Sequence, residues 1–136
     1  MVINNYEFLV PHLRASAVLT NAYVAAPVIG LADYGAVNLN NQFILYVHFT
    51  LGSLTSGEII VEFSDDGSTN WVQETFDSIN ATTGVVTEVP MIRTFTADGN
   101  YRIPIKICDK HIRVSAHGTG TVTSSLMAID AIIGNV

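Results

Sequence analysis

The sequence predicts an all-β fold, a two-sheet antiparallel sandwich of jelly-roll-like topology with about eight or nine strands. Three observations predict it. Apolar residues recur with a period of two, turns rich in Gly, Asn and Asp interrupt the chain at intervals of about ten residues, and no segment has a clear helical period. A chain of 136 residues suits one domain with its own core. We therefore expect an N-terminal arm or edge strand over residues 1–16 and one sandwich domain over residues 17–136.

The clearest strands occupy the middle of the chain. QFILYVHFTLG, residues 42–52, alternates apolar and polar side chains, and so does GEIIVEF, residues 57–63. SDDGSTN, residues 64–70, then turns the chain into WVQETF, residues 71–76. Two alternating segments around an Asp-Asp-Gly-Ser turn predict a β-hairpin.

The later segments continue the pattern. YRIPIKI contains Pro104, which cannot donate a ladder hydrogen bond, so we expect this strand at a sheet edge or at a bulge. HIRVSAHG alternates regularly, whereas residues 126–129 are apolar on both faces, which predicts a strand covered on both sides by its own fold or by another subunit. Weaker patterns predict strands near residues 17–24 and 27–31.

Charge and composition exclude several kinds of partner. The net charge is -6, and the few basic residues are scattered, so we exclude nucleic acid as the main partner. No apolar run approaches the ~20 residues of a membrane span, and the N-terminus does not have the pattern of a signal peptide, so we expect a soluble protein without a membrane partner. Cys108 is the lone cysteine and is interpreted as a packing residue. The low charged fraction, 13%, favours a protein that assembles with a partner.

Metal binding is one chemical interpretation of the central turn. Asp65 and Asp66 are adjacent, and hard cations take several oxygen ligands, so the turn could hold calcium. Further ligands would come from Asp33, Asp77 or Asp98. The EF-hand spacing is absent, and turn propensity alone explains the Asp-Asp-Gly sequence, so we expect no metal. We interpret the histidines as surface or interface residues: His12, His48, His111 and His117.

Catalysis and sugar binding also have candidate residues. The sequence has no nucleophile elbow, phosphate loop or dinucleotide fingerprint, so we expect no enzyme and no cofactor. Carboxylate pairs drawn from Glu58, Glu62 and Glu74 leave glycoside hydrolysis open. Trp71 could stack on a glycan, but without neighbouring aromatic residues it is better interpreted as the anchor of the returning strand. A glycan platform would also need tyrosines beside it, such as Tyr34 or Tyr101.

The order of four segments resembles small virion proteins of tailed bacteriophages. Many of those carry a hairpin of the pattern hxhxxSDDGxxWxD, a GxYRxxV strand and a YIRVxxxxxGTxxxxxxxAxLxxG ending. The resemblance runs from about residue 42 to about residue 134, and its segments here are FILYVHFTLG, IIVEFSDDGSTNWVQE, GNYRIPIKICDKHIRVSAHGTGT and SSLMAIDAIIGN. His111 stands where the pattern has an aromatic residue, and residues 1–41 lie outside the resemblance.

The resemblance implies a cement or decoration protein, a β-sandwich that binds the outer surface of a phage head and bridges major capsid subunits. We expect self-association as well, a homodimer rather than a trimer. A tail, neck or head-fibre module of the same fold is a second hypothesis, and a carbohydrate-binding sandwich with Trp71 as its platform is a third. The residues that we expect at interfaces are Tyr6, Phe8 and Leu9 on the arm, Ile44, Tyr46 and Ile60 on outer faces, and Met127 and Ile129 on the last strand.

Overall fold

A computed structural model describes residues 7–34 and 42–134, and these residues form antiparallel β-sheets with one short 3-10 helix at Leu31–Tyr34. The strands are β1 (Glu7–Ala17), β2 (Val24–Ala25), β3 (Ile29–Gly30), β4 (Gln42–Thr50), β5 (Leu54–Ser64), β6 (Val72–Gln73), β7 (Thr75–Ile79), β8 (Val86–Pro90), β9 (Arg93–Phe95), β10 (Gly99–Ile105), β11 (His111–Gly120) and β12 (Leu126–Gly134). The predicted all-β class is confirmed.

Two of the sheets form the sandwich. The first has the order β1-β12-β4-β10, and the second has the order β2-β11-β5-β6, with β3 also paired to β11 and β9 to β5. The β7-β8 pair forms a separate two-stranded sheet. The described residues contain more strands than the eight or nine expected. The additional ones are mostly two or three residues long, too short to show a period of two.

The core lies between the two sheets. Phe43, Leu45 and Val47 of β4 face Ile59 and Val61 of β5, and all five side chains have no exposed surface. These are the inward positions that the alternating pattern predicts for both segments. The alternation therefore identifies correctly which face of each long strand is buried.

The predicted hairpin around the SDDG turn is present but shorter than expected. Phe63 pairs with Val72 and Glu62 with Gln73, after which the regular ladder ends. The chain then leaves the second sheet at Glu74 and enters β7, so WVQETF is two strands and not one. A similar correction applies upstream, where residues 18–23 form no strand and the pairing resumes only at Val24.

The chain crosses between the sheets at two adjacent corners, residues 51–53 and 121–125. A β-carbon on Gly52, whose φ is 59°, would lie 2.4 Å from the carbonyl oxygen of Ser124. Ser125 is fully buried. Its hydroxyl donates to the carbonyl of Val122 at 2.7 Å and accepts from the Leu19 amide at 3.1 Å. Ser125 thus fastens its own corner to Leu19, and the two corners are joined by the Ser53 amide, which donates to the Ser124 hydroxyl at 3.0 Å.

The edges of the first sheet are β1 and β10. Pro104 lies opposite Ile44 in β10, so the edge position predicted for the proline strand is confirmed. At the other edge, β1 pairs with β12 from Glu7 to Ala17, with register irregularities on either side of Arg14. The Arg14 guanidinium donates to the carbonyl of Met127 and so fastens this edge. Residues 1–6 of the predicted arm lie outside the described residues.

Candidate functional site

The polar groups of the SDDG turn form hydrogen bonds with one another. The Asp66 carboxylate accepts hydrogen bonds from the amides of Ser68 at 2.9 Å and Thr69 at 2.8 Å, and from the Ser64 hydroxyl at 2.9 Å. The Thr69 hydroxyl donates to it as well. These donors, the Thr69 hydroxyl first, hold the pKa of Asp66 well below its usual range because they stabilise the charged form. Within the described residues, no three His, Cys, Asp or Glu side chains gather as metal ligands.

Gly67 brings the turn down onto His111. Its φ is 78°, and a β-carbon there would lie 2.7 Å from Cδ2 of the His111 ring. The glycine is therefore needed both for its backbone conformation and for the close approach. His111, which stands in place of the aromatic residue in the phage pattern, packs beneath the turn.

Trp71 packs on an arginine. The guanidinium carbon of Arg113 lies 4.3 Å from the centroid of the Trp71 ring, and the same guanidinium donates to Glu62 from Nη2 at 2.9 Å. Tyr101, in the other sheet, packs against Phe95 with 4.7 Å between ring centroids. The ring of Trp71 thus anchors the chain where it returns from the turn. Trp71 and Tyr101 pack against different partners and do not form the aromatic pair that a glycan platform needs. Tyr34 is at the end of the described segment 7–34, and its side chain is outside the described part of the chain.

The three glutamates that left hydrolysis open each meet a basic side chain. Glu62 pairs with Arg113, and Glu74 pairs with Arg93, with 3.1 Å between Oε2 and Nη2. Glu58 Oε2 lies 3.2 Å from Nδ1 of His117 but without hydrogen-bond geometry. The second oxygen, Oε1, accepts from the Thr119 hydroxyl at 3.0 Å. The polar groups on the outer face of the second sheet are largely engaged with one another.

Three of the expected interface residues are buried inside the protomer: Ile44, Met127 and Ile129 have 2%, 0% and 1% of their surfaces exposed. Met127 and Ile129 face the core. The outward positions of β12 include Leu126, which is 43% exposed, and Ala128, Asp130 and Ile132, which are half-buried. Within the described residues the outer face of β12 is only partly covered, so cover by another subunit stays a prediction, and the run that is apolar on both faces, residues 126–129, ends at Asp130. Its carboxylate accepts the His12 amide of β1 at 2.7 Å.

The remaining expected interface residues have different positions. Tyr46 and Ile60 are half-buried on the outer faces of the first and second sheets. Phe8 and Leu9 lie in the first half of β1, and their backbones pair with Ile133 and Ile132. Tyr6 lies outside the described residues.

The surface that sequence reasoning missed is a projecting hairpin, residues 75–90, formed by β7 and β8. Five residue pairs connect its two strands, from Thr75 opposite Pro90 to Ile79 opposite Val86. Within the described part of the chain neither strand pairs with a third one. Four apolar side chains are nonetheless strongly exposed, namely Phe76 (46%), Ile79 (67%), Val85 (58%) and Val86 (55%).

An isolated two-stranded ribbon is only marginally stable in water, so these exposed side chains require an explanation outside the sandwich core. A sequence signal for the hairpin exists. NATTG, residues 80–84, has the Asn and Gly residues typical of a turn, and the Asn80 side chain accepts the amides of Thr82 and Thr83 at 2.9 and 3.1 Å. The adjacent SDDG hairpin obscures this signal, because residues 75 and 76 also fit the alternation of its return strand.

A groove of about 490 Å³ lies at the base of the projecting hairpin. Its lining combines the apolar side chains of Phe63, Val72 and Met91 and the thiol of Cys108 with polar and charged groups, among them Glu74, Lys106 and Asp109. Val72 has 66% of its surface exposed, and nearby Ile92 has 53%. Cys108 is exposed at this groove and is not a core packing residue. Partial burial is the main factor that raises the pKa of its thiol, which favours the protonated form.

No family model and no curated protein sequence matches this chain. The described residues include no helix that is long and apolar enough to cross a membrane. The fold and the exposed hairpin therefore define the chain as an antiparallel β-sandwich with a projecting apolar ribbon.

Proposed function

We propose that this chain is a structural virion protein, a cement or decoration protein that binds the outer surface of a bacteriophage head and bridges major capsid subunits. The observation that carries the proposal is the projecting hairpin with its exposed apolar side chains. The sandwich already has a closed core, so the hairpin is not required to complete it. Exposed apolar clusters of this kind are typical of surfaces that contact other proteins.

Two further properties support the proposal. The resemblance to phage virion proteins runs through β4, the SDDG hairpin, β10, β11 and β12, which supply most of both sheets. The acidic net charge, -6, suits the outer side of a capsid better than the side that faces DNA.

Bridging would depend on many weak contacts. Each copy would bury the apolar surface of its hairpin against the lattice, and copies repeated over a closed shell would add their contacts by multivalency. We propose a jelly-roll-like sandwich that works as a homodimer, so that one unit has two lattice contacts. Sedimentation velocity of the purified protein tests the dimer.

The test of function is reconstitution. Heads from a phage that lacks this protein should bind the purified chain to a fixed stoichiometry, and the occupied heads should release DNA at a higher temperature than bare ones. Heads that already carry the protein are the control and should bind no more. Failure to bind, or binding without a change in the release temperature, contradicts the cement function. Binding to isolated tails but not to heads would assign the chain to the class of tail modules.

A further inference from the structure

The projecting hairpin has two acidic side chains directly opposite each other. Asp77 of β7 pairs with Glu88 of β8, and Ile79 pairs with Val86 at the next position on the same face. Positions two residues apart along a strand are separated by about 7 Å. One face of the hairpin thus presents an apolar pair near its tip and an acidic pair about 7 Å behind it.

Within the described part of the chain, neither Asp77 nor Glu88 forms an ion pair. From Thr75 to Ile92 the sequence contains no Lys, Arg or His. The nearest arginine along the chain, Arg93, is already paired with Glu74. Like charges directly opposite on two strands destabilise the pairing, and the hydrogen bond and charge of Glu88 raise the pKa of Asp77. The Thr75 hydroxyl, the neighbour that donates to Glu88, is neutral.

We propose that this face docks on a partner surface that presents a lysine or arginine beside apolar side chains, with the cation between Asp77 and Glu88 and the apolar groups against Ile79 and Val86. The proposal rests on the proposed function in that the partner would be the capsid lattice. A second copy of the hairpin does not fit this chemistry. Two such faces in contact would bring four carboxylates together without any basic residue from either ribbon.

The face can be tested alone by NMR titration of the isotopically labelled protein. The probe is an acetylated and amidated peptide of the sequence valine, threonine, lysine, threonine, valine, which places lysine between two apolar side chains on one side of an extended strand. We expect amide shifts that concentrate in residues 75–92 and saturate at a roughly millimolar concentration. The matched peptide with glutamate in place of lysine should cause shifts at least about fivefold smaller. Equal shifts with both peptides, or shifts centred elsewhere, would overturn the proposal.

Variants connect this face to the heads. The double variant D77N/E88Q would remove two charges from exposed positions and would need a control that also removes two. D65N/D98N is unsuitable as that control, because Asp98 accepts the Leu51 amide at 2.7 Å. The single variants D77N and E88Q are therefore each compared with D65N, which removes a charge from the exposed residue Asp65. For the apolar contact, I79S is compared with V28S, since Val28 is also exposed, at 43%. Thermal unfolding of each variant verifies that the sandwich is intact.

On stripped heads we expect D77N, E88Q and I79S to bind about tenfold more weakly than the wild type, with D65N and V28S within about twofold. If all three hairpin variants bind to heads as tightly as the wild type does, the docking face is refuted and the cement function still stands. Absence of wild-type binding to heads would refute the cement function, and the peptide titration would still decide the chemistry of the face. If D77N and E88Q bind normally and instead self-associate, the acids serve to prevent ribbon-to-ribbon pairing, and the docking proposal is wrong.

Discussion

The guanidinium of Arg113 lies between the Trp71 ring and the Glu62 carboxylate: its carbon is 4.3 Å from the ring centroid, and its Nη2 is 2.9 Å from Oε1. Trp71 follows the SDDG turn, whereas Arg113 and Glu62 are opposite one another in β11 and β5. This single contact joins the end of the turn to the middle of the second sheet. It also explains why a lone tryptophan in this sequence is an anchor.

Replacing Trp71 with alanine should lower the free energy of unfolding by about 1–3 kcal/mol, because it removes the cation–π contact and half-buried apolar surface. Trp71→Phe should lose less than half of that. Urea unfolding measures both. A glycan array should detect no ligand for either the wild type or the variants. Specific glycan binding that disappears in Trp71→Ala while the fold survives would instead support a carbohydrate-binding function.

The sequence was informative where one face of a strand is buried and the opposite face is not. The alternation in β4, β5, β10 and β11 predicted the inward residues, and Pro104 predicted a sheet edge. Both kinds of inference depend on local physics, namely the two-residue period of a strand and the missing amide of proline. The SDDG turn is predictable for the same reason. Asp66 accepts hydrogen bonds from neighbouring amides of the turn, and Gly67 has the positive φ that bends the chain.

The features that the sequence did not predict depend on distant parts of the chain. Whether β12 has a free apolar face is decided by β1 and β4 on its two sides, and by the contact of Asp130 with His12. The projecting hairpin was missed because its strands are exposed on both faces, so burial imposes no apolar alternation on them. Three of the candidate interface residues chosen by apolarity, Ile44, Met127 and Ile129, are therefore buried.

The position of Ile129 in the core makes a specific prediction. Ile129→Ala should reduce the free energy of unfolding by about 2–5 kcal/mol, since it opens a cavity at a residue that is 1% exposed. Ile132→Ala, on the outer face of the same strand, should cost less than half as much. Urea unfolding of the two variants compares them directly. Equal losses would contradict the assignment of the two faces.

The corner formed by residues 121–125 depends on one hydroxyl. Ser125→Ala leaves the buried Leu19 amide without its acceptor, and we expect a loss of about 1–3 kcal/mol. Thr123→Ala, at an exposed position of the same corner, should stay within about 0.5 kcal/mol of the wild type. Chemical denaturation measures both, and hydrogen exchange of the Leu19 amide should accelerate only in Ser125→Ala.

Two glycines with similar backbone angles separate strain from collision. Gly52 and Gly84 have φ values of 59° and 72°, but a β-carbon at Gly84 meets nothing within 4 Å, whereas one at Gly52 meets the Ser124 carbonyl. Gly84→Ala should cost about 1–2 kcal/mol through φ alone. Gly52→Ala should cost roughly 3 kcal/mol or more, because the backbone of the neighbouring corner must also move. Similar unfolding midpoints for the two variants would contradict the close packing of the corners.

The SDDG turn should make stability depend on pH through Asp66. Its pKa is lower in the folded chain than in the unfolded one, because the hydroxyl of Thr69 and the amides of Thr69 and Ser68 stabilise the carboxylate. The unfolded chain therefore binds the proton first as the pH falls, and the contribution of Asp66 is present above the ordinary aspartate pKa of about 4 and is lost progressively below it.

Asp66→Asn can still accept the turn amides but does not titrate. Urea midpoints measured from about pH 6 down to pH 2 should fall less steeply for Asp66→Asn than for the wild type. Asp65→Asn, which removes a charge from the next residue in the same turn, should keep the wild-type slope. If Asp66→Asn and Asp65→Asn flatten the profile equally, the hydrogen bonds of the turn are not what couples its stability to pH.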